Sequence, residues 1–306
     1  MAFCFKRKES VAKAIRRLGR ERIQSALECL KDDRHAEAIH CARKDIKKVR
    51  AVARLARDTI DNSEFRHLTR SLRKAASQLA GPRDAYVKAR TLKNLARHYH
   101  RPIQSGVLRG LHSQLRRAFD AEMKQFTKED RAKSVEHILR RVSRDFEDLN
   151  IDGKGWKAIR PGVQSAYRRG RRAYQSARQD SSPEHLHAWR KRVKDLGYQI
   201  NLLQPMWPEQ LEAMACELES LGEHLGDAHD LFALQQSLPN AGDDQARKET
   251  TDLKKLIAHR QRELRTAAFA VGKRFYAEKP GAFCARLAKY WRAWRRGKKP
   301  ARFARA

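Results

Sequence analysis

The sequence has few of the patterns that build β-sheets or membrane spans. Alternating runs rich in Val, Ile and Thr, which indicate half-buried strands, are nearly absent. No window approaches the roughly 20 apolar residues that a membrane-spanning helix needs. The start, MAFCFKRKES, has too short an apolar run for a secretory signal. We therefore expect a soluble cytoplasmic protein without strands.

Cysteine is also scarce, and its placement does not indicate a metal site. No CxxC occurs, and no spacing suggests zinc ligands. An odd number of scattered cysteines fits a reducing compartment best. The five positions are Cys4, Cys29, Cys41, Cys216 and Cys284.

Acidic residues are outnumbered nearly two to one by basic residues. The chain of 306 residues has 68 Lys and Arg against 36 Asp and Glu, a formal net charge of +32. Such an excess repels itself in the folded state, which indicates an abundant polyanion as partner. Nucleic acid, an anionic membrane surface and a phosphate polymer are the candidates.

Helical periodicity is what the sequence has in abundance. Three-four spacing of apolar residues recurs almost everywhere and predicts an all-α fold. The segment NIDGKG, residues 150–155, is the clearest linker. Helices are predicted near residues 7–31, 34–61, 64–80, 82–100, 105–126, 128–149, 162–178, 183–204, 208–225, 227–237, 243–277 and 281–296.

The segment EAIHCARKDIKKVRAVARL, residues 37–55, carries two stripes on one predicted helix. The apolar stripe continues just past it and consists of Ile39, Ala42, Ile46, Val49, Ala53, Ala56 and Ile60. The adjacent stripe, cationic after its leading histidine, consists of His40, Arg43, Lys47, Arg50, Arg54 and Arg57. One residue is about 100° of helical turn, so the cationic stripe flanks the buried face, where neighbouring helices meet. Charges there border a groove in which the field is focused.

The second half of the chain repeats this pattern. EHLHAWRKRVKDLGYQINL, residues 184–202, aligns with the segment above. RLGRERIQSA at 17–26 matches RRGRRAYQSA at 168–177, and LAGPRDA at 79–85 matches LGDAHDL at 225–231. Three matches in one order predict a duplicated helical unit of about 150 residues, related by a pseudo-two-fold axis.

This duplication predicts the domain organisation. We expect residues 1–150 and 151–296 to be two helical bundle halves of one domain, and residues 297–306 to be a mobile basic tail. Solvated helix faces, with aliphatic stems covering apolar neighbours, are the alternative explanation of the cationic stripes. The lack of interleaved acids and the repetition in both halves favour a shared groove.

The histidines do not have the spacing of a metal site. His35 and His40 are five apart and His185 and His187 two apart, which does not stack two imidazoles as HExxH does. His40 and His187 each begin a basic stripe, so we expect a structural or phosphate-facing hydrogen bond.

These residues resemble the CHAD family, the conserved histidine α-helical domain. Its pattern is a histidine that opens a helix, an arginine three residues on, basic residues seven, eight and ten on, and a later Arg-Asp pair. The first half matches with His40, Arg43, Lys47, Lys48, Arg50 and Arg83-Asp84. The second half matches with His187, Arg190, Lys194 and Tyr198 but departs at Asp195, Gly197 and His229.

The resemblance implies an all-helical domain of two halves that binds inorganic polyphosphate in a basic central cleft or pore. Some members sit on polyphosphate granules, and many are fused to a triphosphate-tunnel enzyme domain, for which no segment remains here. On one side of the cleft we expect Arg17, Arg20, His40, Arg43, Lys44, Lys47, Arg50, Arg54, Arg83 and Arg90. On the other side we expect Arg168, Arg171, Arg172, His187, Arg190, Lys191 and Lys194.

Nucleic acid is the alternative partner. Single-strand binders interleave aromatic and cationic residues so that bases can stack. The segment KYWRAWRRGKKPARFARA does mix them, but Phe283, Leu287, Trp291 and Trp294 are spaced as a helical core face. A role at a membrane surface is less favoured, because the basic helices also contribute buried seams.

An enzyme is the third class. A phosphohydrolase would need clustered carboxylates for metal ions. The sequence has no ExExK and no GxxxxGK[ST] loop. We therefore expect no catalysis, no cofactor and no metal, while the sequence does not indicate the oligomeric state.

Overall fold

The computed structural model describes residues 3–31, 35–99, 106–238 and 244–297. Within these ranges the chain forms eleven α-helices and two 3₁₀ helices and no strand, so the predicted all-α class is confirmed. None of the described helices is long and apolar enough to cross a membrane. The α-helices are α1 (Val11–Cys29), α2 (His35–Leu55), α3 (Asn62–Gln78), α4 (Ala80–His98), α5 (Gly106–Lys128), α6 (Arg131–Asp148), α7 (Trp156–Gln179), α8 (Pro183–Leu203), α9 (Pro208–Gln235), α10 (Asp244–Phe275) and α11 (Pro280–Arg296). The 3₁₀ helices are Arg57–Thr59 and Gln204–Met206.

Three helices differ clearly from the prediction. α2, predicted to reach residue 61, ends at Leu55 and is followed by the 3₁₀ helix Arg57–Thr59. α9 is one continuous helix and does not break between 208–225 and 227–237, because Gly226 lies inside it against a side chain of α8. α7 begins well before residue 162, and Pro161 lies within it. A proline there removes only one backbone hydrogen bond, near the helix start. The predicted basic tail, apart from Gly297, lies outside the described residues.

Local signals explain where several helices begin. The Ser10 side chain accepts a hydrogen bond from the Lys13 N–H and caps α1. Pro183 occupies the first turn of α8, where its missing N–H costs nothing. In the predicted linker, Gly153 and Gly155 have φ of 86° and 58°. Glycine tolerates this left-handed region, which stops α6 from continuing into α7.

The main hydrophobic core contains residues of α1, α2, α3, α6, α7, α8, α11 and the first part of α9. It includes the whole predicted apolar stripe, from Ile39 in α2 to Ile60 just after the following 3₁₀ helix, which is confirmed as buried. The corresponding stripe of α8, from Leu186 to Leu203, is buried in the same core. The two segments 1–150 and 151–296 therefore share this core.

A second, smaller core joins α4 and α5 to the end of α9 and to α10. Leu92 and Leu111 pack there with Leu234 and Ile257. α9 thus extends from one core into the other. Because α2 packs against α8, and α4 against α9, a cleft between these four helices is lined by the faces not used for burial.

A disulfide joins Cys29, at the end of α1, to Cys41 in α2. The antiparallel packing of these two helices brings the Cα atoms to 5.9 Å. The reducing compartment expected from the scattered cysteines does not predict this bond. Cys4, Cys216 and Cys284 are free.

Candidate functional site

The cationic stripes of α2 and α8 face a common cleft. Two cavities, of about 290 Å³ and 560 Å³, make up this cleft. They are adjacent, because five side chains line both of them. These shared residues are Arg43, Lys47, Arg190, Lys194 and Tyr198.

Most of the predicted site residues line the cleft. α2 contributes a whole stripe, α8 contributes the stripe that faces it, and α4 adds two arginines. The predicted residues found there are His40, Arg43, Lys44, Lys47, Arg50, Arg54, Arg83, Arg90, His187, Arg190, Lys191 and Lys194.

Arg17 and Arg20 do not line the cleft, and this corrects the expectation. Both lie at a separate surface depression between α1 and α6. Arg17 donates hydrogen bonds to the Glu9 carboxylate at 2.8 and 2.7 Å. Arg20 forms an ion pair with Glu147 at 2.9 Å. Their matching position in the sequence reflects helix periodicity, but α1 turns this face away from α8.

The three arginines expected from α7 also lie outside the cleft lining. Arg171 Nε donates to the Tyr276 carbonyl oxygen at 3.0 Å, which ties it to the end of α10. Arg168 and Arg172 are exposed on α7. α7 contributes its buried face to α8, so these side chains point elsewhere.

Sequence reasoning missed Arg73 of α3 as a lining residue, and it did not assign Arg192 or Tyr198 to the site. Arg192 and Tyr198 lie beside the basic stripe of α8, which is a signal that helical spacing could have provided. Arg73 has no such signal, because only the packing of α3 against α2 brings it to the cleft.

One wall of the smaller cavity is acidic. α9 presents a row of carboxylates at helical spacing, namely Glu219, Glu223, Asp227 and Asp230. The larger cavity has one acid in its described lining, Asp195. Arg54 Nη1 donates to Asp195 Oδ1 at 2.6 Å, which links α2 to α8. The cleft is thus strongly cationic at one end and mixed at the other.

Two glycines of α9 allow the cations of α8 to pass close to its backbone. A Cβ on Gly226 would lie 3.1 Å from Arg190 Nε, and one on Gly222 would lie 2.7 Å from Lys194 Cε. Larger residues would push both side chains. The small residues of α9 therefore help to direct Arg190 and Lys194 into the cleft.

Burial and the crowding of like charge lower the pKa values of Lys47 and His40 in the cleft. Burial, together with the charges of Arg190 and Arg43, lowers the pKa of Lys47 to about 8. Much of the Lys47 surface faces the solvent of the cleft, yet the surrounding protein still weakens its hydration. Burial, together with Arg83 and other cations, lowers the pKa of His40 to about 4. The free cleft is therefore short of negative charge.

Several guanidinium groups of the cleft have unused donors. Arg50 Nε, Arg83 Nη1 and Arg190 Nε are buried and have no hydrogen-bond partner. A buried donor without an acceptor costs free energy, and charged donors cost more than neutral ones. An anionic oxygen in the cleft would remove that cost.

A group of potential metal ligands lies outside the cleft. Cys29, Cys41 and Asp45 are the described residues whose ligand atoms cluster closely enough for an ion. The two sulfurs are bonded to each other. Asp45 already accepts hydrogen bonds from Ser25 at 2.6 Å and Lys48 at 2.9 Å.

Comparisons with known proteins agree with this architecture. A family model described as the CHAD domain matches residues 14–239. The fold is similar to the crystal structure of the CHAD domain from the plant Ricinus communis, with 17% identity and a TM-score of 0.64, covering 90% of this chain and 95% of that one. It is also similar to PptA from Streptomyces chartreusis, with 15% identity and a TM-score of 0.62, covering 88% and 100%. No curated protein matches the sequence.

Proposed function

The chain belongs to the CHAD domain family, and from that premise we propose that it binds inorganic polyphosphate in the cleft between α2 and α8. Polyphosphate carries roughly one negative charge per internal phosphate and no bases. A receptor therefore needs a row of cations that fits a narrow chain. Arginine forks suit phosphate oxygens, and lysines act as point charges.

The observation that carries this proposal is a set of cationic donors without anionic partners, in a cleft formed by two adjacent cavities. Two rows of cations face each other across it, and three guanidinium nitrogens there are buried without partners. Lowered pKa values of Lys47 and Lys194 indicate that the free protein holds these charges at a cost. A bound polyanion would offset both costs.

Binding of single-stranded nucleic acid remains the second candidate, because the same cations would neutralise its phosphates. Its bases would require stacking partners. Tyr198 is the only Phe, Tyr or Trp among the described residues that line the cleft. This favours an anion without bases.

Charge reversal on both sides of the cleft tests the site. We expect Arg43→Glu with Arg190→Glu to abolish binding of long-chain polyphosphate, measured by fluorescence anisotropy, with helicity unchanged by circular dichroism. Arg20→Glu with Arg168→Glu is the matched control, since it changes the net charge equally outside the cleft. Equal loss of affinity in both double variants would reject the cleft as the binding site.

Competition tests the choice of ligand. Labelled polyphosphate is displaced by unlabelled polyphosphate, RNA or single-stranded DNA of equal total charge, at near-physiological salt. We expect polyphosphate to compete best. If RNA or DNA displaces the label at lower concentration, nucleic acid becomes the preferred ligand.

We further propose that binding is not accompanied by hydrolysis. Glu219 and Glu223 of α9 lie near Lys194, and Asp230 lies near Arg83, which favours a role in balancing charge. Incubation of the purified protein with polyphosphate and Mg²⁺ or Mn²⁺ should release no phosphate above the protein-free rate. Release that depends on Glu219 or Glu223 would contradict a purely binding role.

A further inference from the structure

Two histidines from different helices stack beside the larger cavity, with His187 in its lining and His229 in the lining of a small neighbouring pocket. The rings of His187 on α8 and His229 on α9 have centroids 4.2 Å apart and planes inclined by 28°. Both side chains are half-buried, and His187 lines the cleft. The Nδ1 atoms of both rings are buried and have no hydrogen-bond partner. Neither Nδ1 atom is therefore held by another protein group, and the His187 ring is the member of the pair that meets the cleft.

The two halves of the predicted repeat have different residues at the positions of this histidine pair. In the alignment of the two halves, His187 corresponds to His40 and His229 corresponds to Arg83. His40 and Arg83 line the smaller cavity together, and Arg83 contributes to the low pKa of His40. One half therefore has a permanent charge where the other half has a group that can lose its proton.

The surroundings of the pair are mainly cationic, with two acids. Burial, together with the His229 ring and nearby cations, lowers the pKa of His187 to about 4. Burial also lowers the pKa of His229, whereas two carboxylates oppose that shift. The charged groups that face the pair are Arg190 and Lys191 of α8, Asp230 of α9, Asp84 of α4 and Arg265 of α10. Near neutral pH both rings are uncharged.

We propose that the His187–His229 pair is a phosphate-binding subsite that takes up one proton together with a phosphate group of the polyanion. This inference rests on the proposed function of the cleft. An anionic oxygen beside a ring nitrogen favours the imidazolium form, which then donates a charge-assisted hydrogen bond. Two imidazolium rings at this separation would repel each other, so the pair holds one proton and not two.

The sign of the resulting pH dependence follows from linkage. The free pair binds a proton only at low pH, and the polyanion raises that affinity for protons. Between the pKa of the free pair and that of the bound pair, binding takes up a proton, so affinity falls as pH rises. The change is at most about tenfold per pH unit for one proton.

Calorimetry measures the proton directly. Long-chain polyphosphate is titrated into the protein at pH 6 in buffers of different ionisation enthalpy, which gives the number of protons taken up. We expect His229→Arg to bind at pH 7.5 at least as tightly as the unmodified protein and to take up about one proton fewer. His224→Asn is the matched control on α9, since His224 contacts Ser220 and does not line the cleft.

The design separates this inference from the function it rests on. Comparing variants with one polymer cancels proton exchange by the polymer's own end groups. Equal proton uptake by His229→Arg and the unmodified protein overturns the subsite while leaving polyphosphate binding intact. Absence of binding at every pH overturns the proposed function itself.

A measurement without variants covers the case in which His229→Arg does not fold. Histidine ring signals of the unmodified protein are followed by NMR against pH, with and without polyphosphate. We expect one ring of the pair to titrate at higher pH in the complex. Unchanged titration of both rings, in a sample shown to bind polyphosphate, contradicts the proposal.

Discussion

The pKa of Lys47 reflects its burial and the positive charge of the surrounding cleft. It lines both cavities, and cations from α2, α4 and α8 all disfavour its proton. Its pKa of about 8 means that the free protein begins to lose this charge just above neutral pH. An ordinary lysine in water stays protonated up to about pH 10, whereas Lys47 is a residue of the cleft that titrates near pH 8.

This lysine predicts a loss of affinity in alkali. Bound phosphate raises the pKa of Lys47, so polyphosphate binding weakens as pH rises above about 8. Lys47→Arg should keep its charge and flatten the affinity profile between about pH 8 and 9.5. Anisotropy titrations across this range measure the effect, with Lys255→Arg, an exposed position on α10, as control. An equally steep decline in Lys47→Arg would show that another group titrates.

At the scale of helices, close approach at glycine positions determines how the cleft is held. α7 crosses the end of α2 at Gly162, where a Cβ would overlap the Leu55 carbonyl oxygen. That atom belongs to the backbone, so it cannot rotate away as a side chain would. The crossing keeps α2 in place beside α8.

A pair of alanine substitutions tests this crossing. Gly162→Ala should lower the free energy of unfolding by about 1–3 kcal/mol, because the helices must separate to admit a methyl group. Gly110→Ala on α5, where nothing lies within 4 Å, should raise it by about 0.5–1 kcal/mol. Urea unfolding followed by circular dichroism measures both. Similar changes in the two variants would mean that helix propensity, and not the crossing, dominates.

The Arg54–Asp195 ion pair between α2 and α8 should stabilise the fold and, at the same time, weaken polyphosphate binding by occupying Arg54. Asp195 balances a cluster that also contains Arg50 and Arg192. Asp195→Asn should lower the free energy of unfolding by about 1–3 kcal/mol. The same change should tighten polyphosphate binding, since Arg54 becomes free for phosphate. Weaker binding in this variant would show that Asp195 positions Arg54 and does not compete for it.

For the whole molecule, the net charge of +32 predicts that the proposed binding depends on ionic strength. Each phosphate neutralised by a cation releases a counterion, so affinity falls as salt rises. Only cations that contact the polymer contribute to the slope of log affinity against log salt. The rest raise the general attraction for anions, which salt screens within about 8–10 Å.

Salt titrations therefore distinguish the cleft from the exterior. Arg190→Gln should reduce the slope of log affinity against log salt by about one unit. Arg20→Gln, which removes a cation paired with Glu147 outside the cleft, should leave the slope unchanged. Equal slopes in all three proteins would place the polymer away from Arg190.

Periodicity in the sequence predicted most of the fold and most of the cations that line the candidate cleft. The apolar stripes of α2 and α8 are buried as predicted. The cations one residue along from them face a cleft, because a helix keeps a constant turn per residue. Helix ends were less predictable. Gly226 lies inside α9 and Pro161 inside α7, because whether a glycine or proline ends a helix depends on the residues that pack around it.

The sequence by itself determined which residues share a helix face, and so which cations accompany His40 and His187. Only the tertiary structure decided which faces meet. It placed Arg17 and Arg171 outside the cleft, added Arg73 from α3, and set the carboxylates of α9 opposite the lysines. The physical reason is that helical spacing is a local property of the backbone. The pairing of faces depends on burial between segments far apart in the chain, which no local spacing encodes.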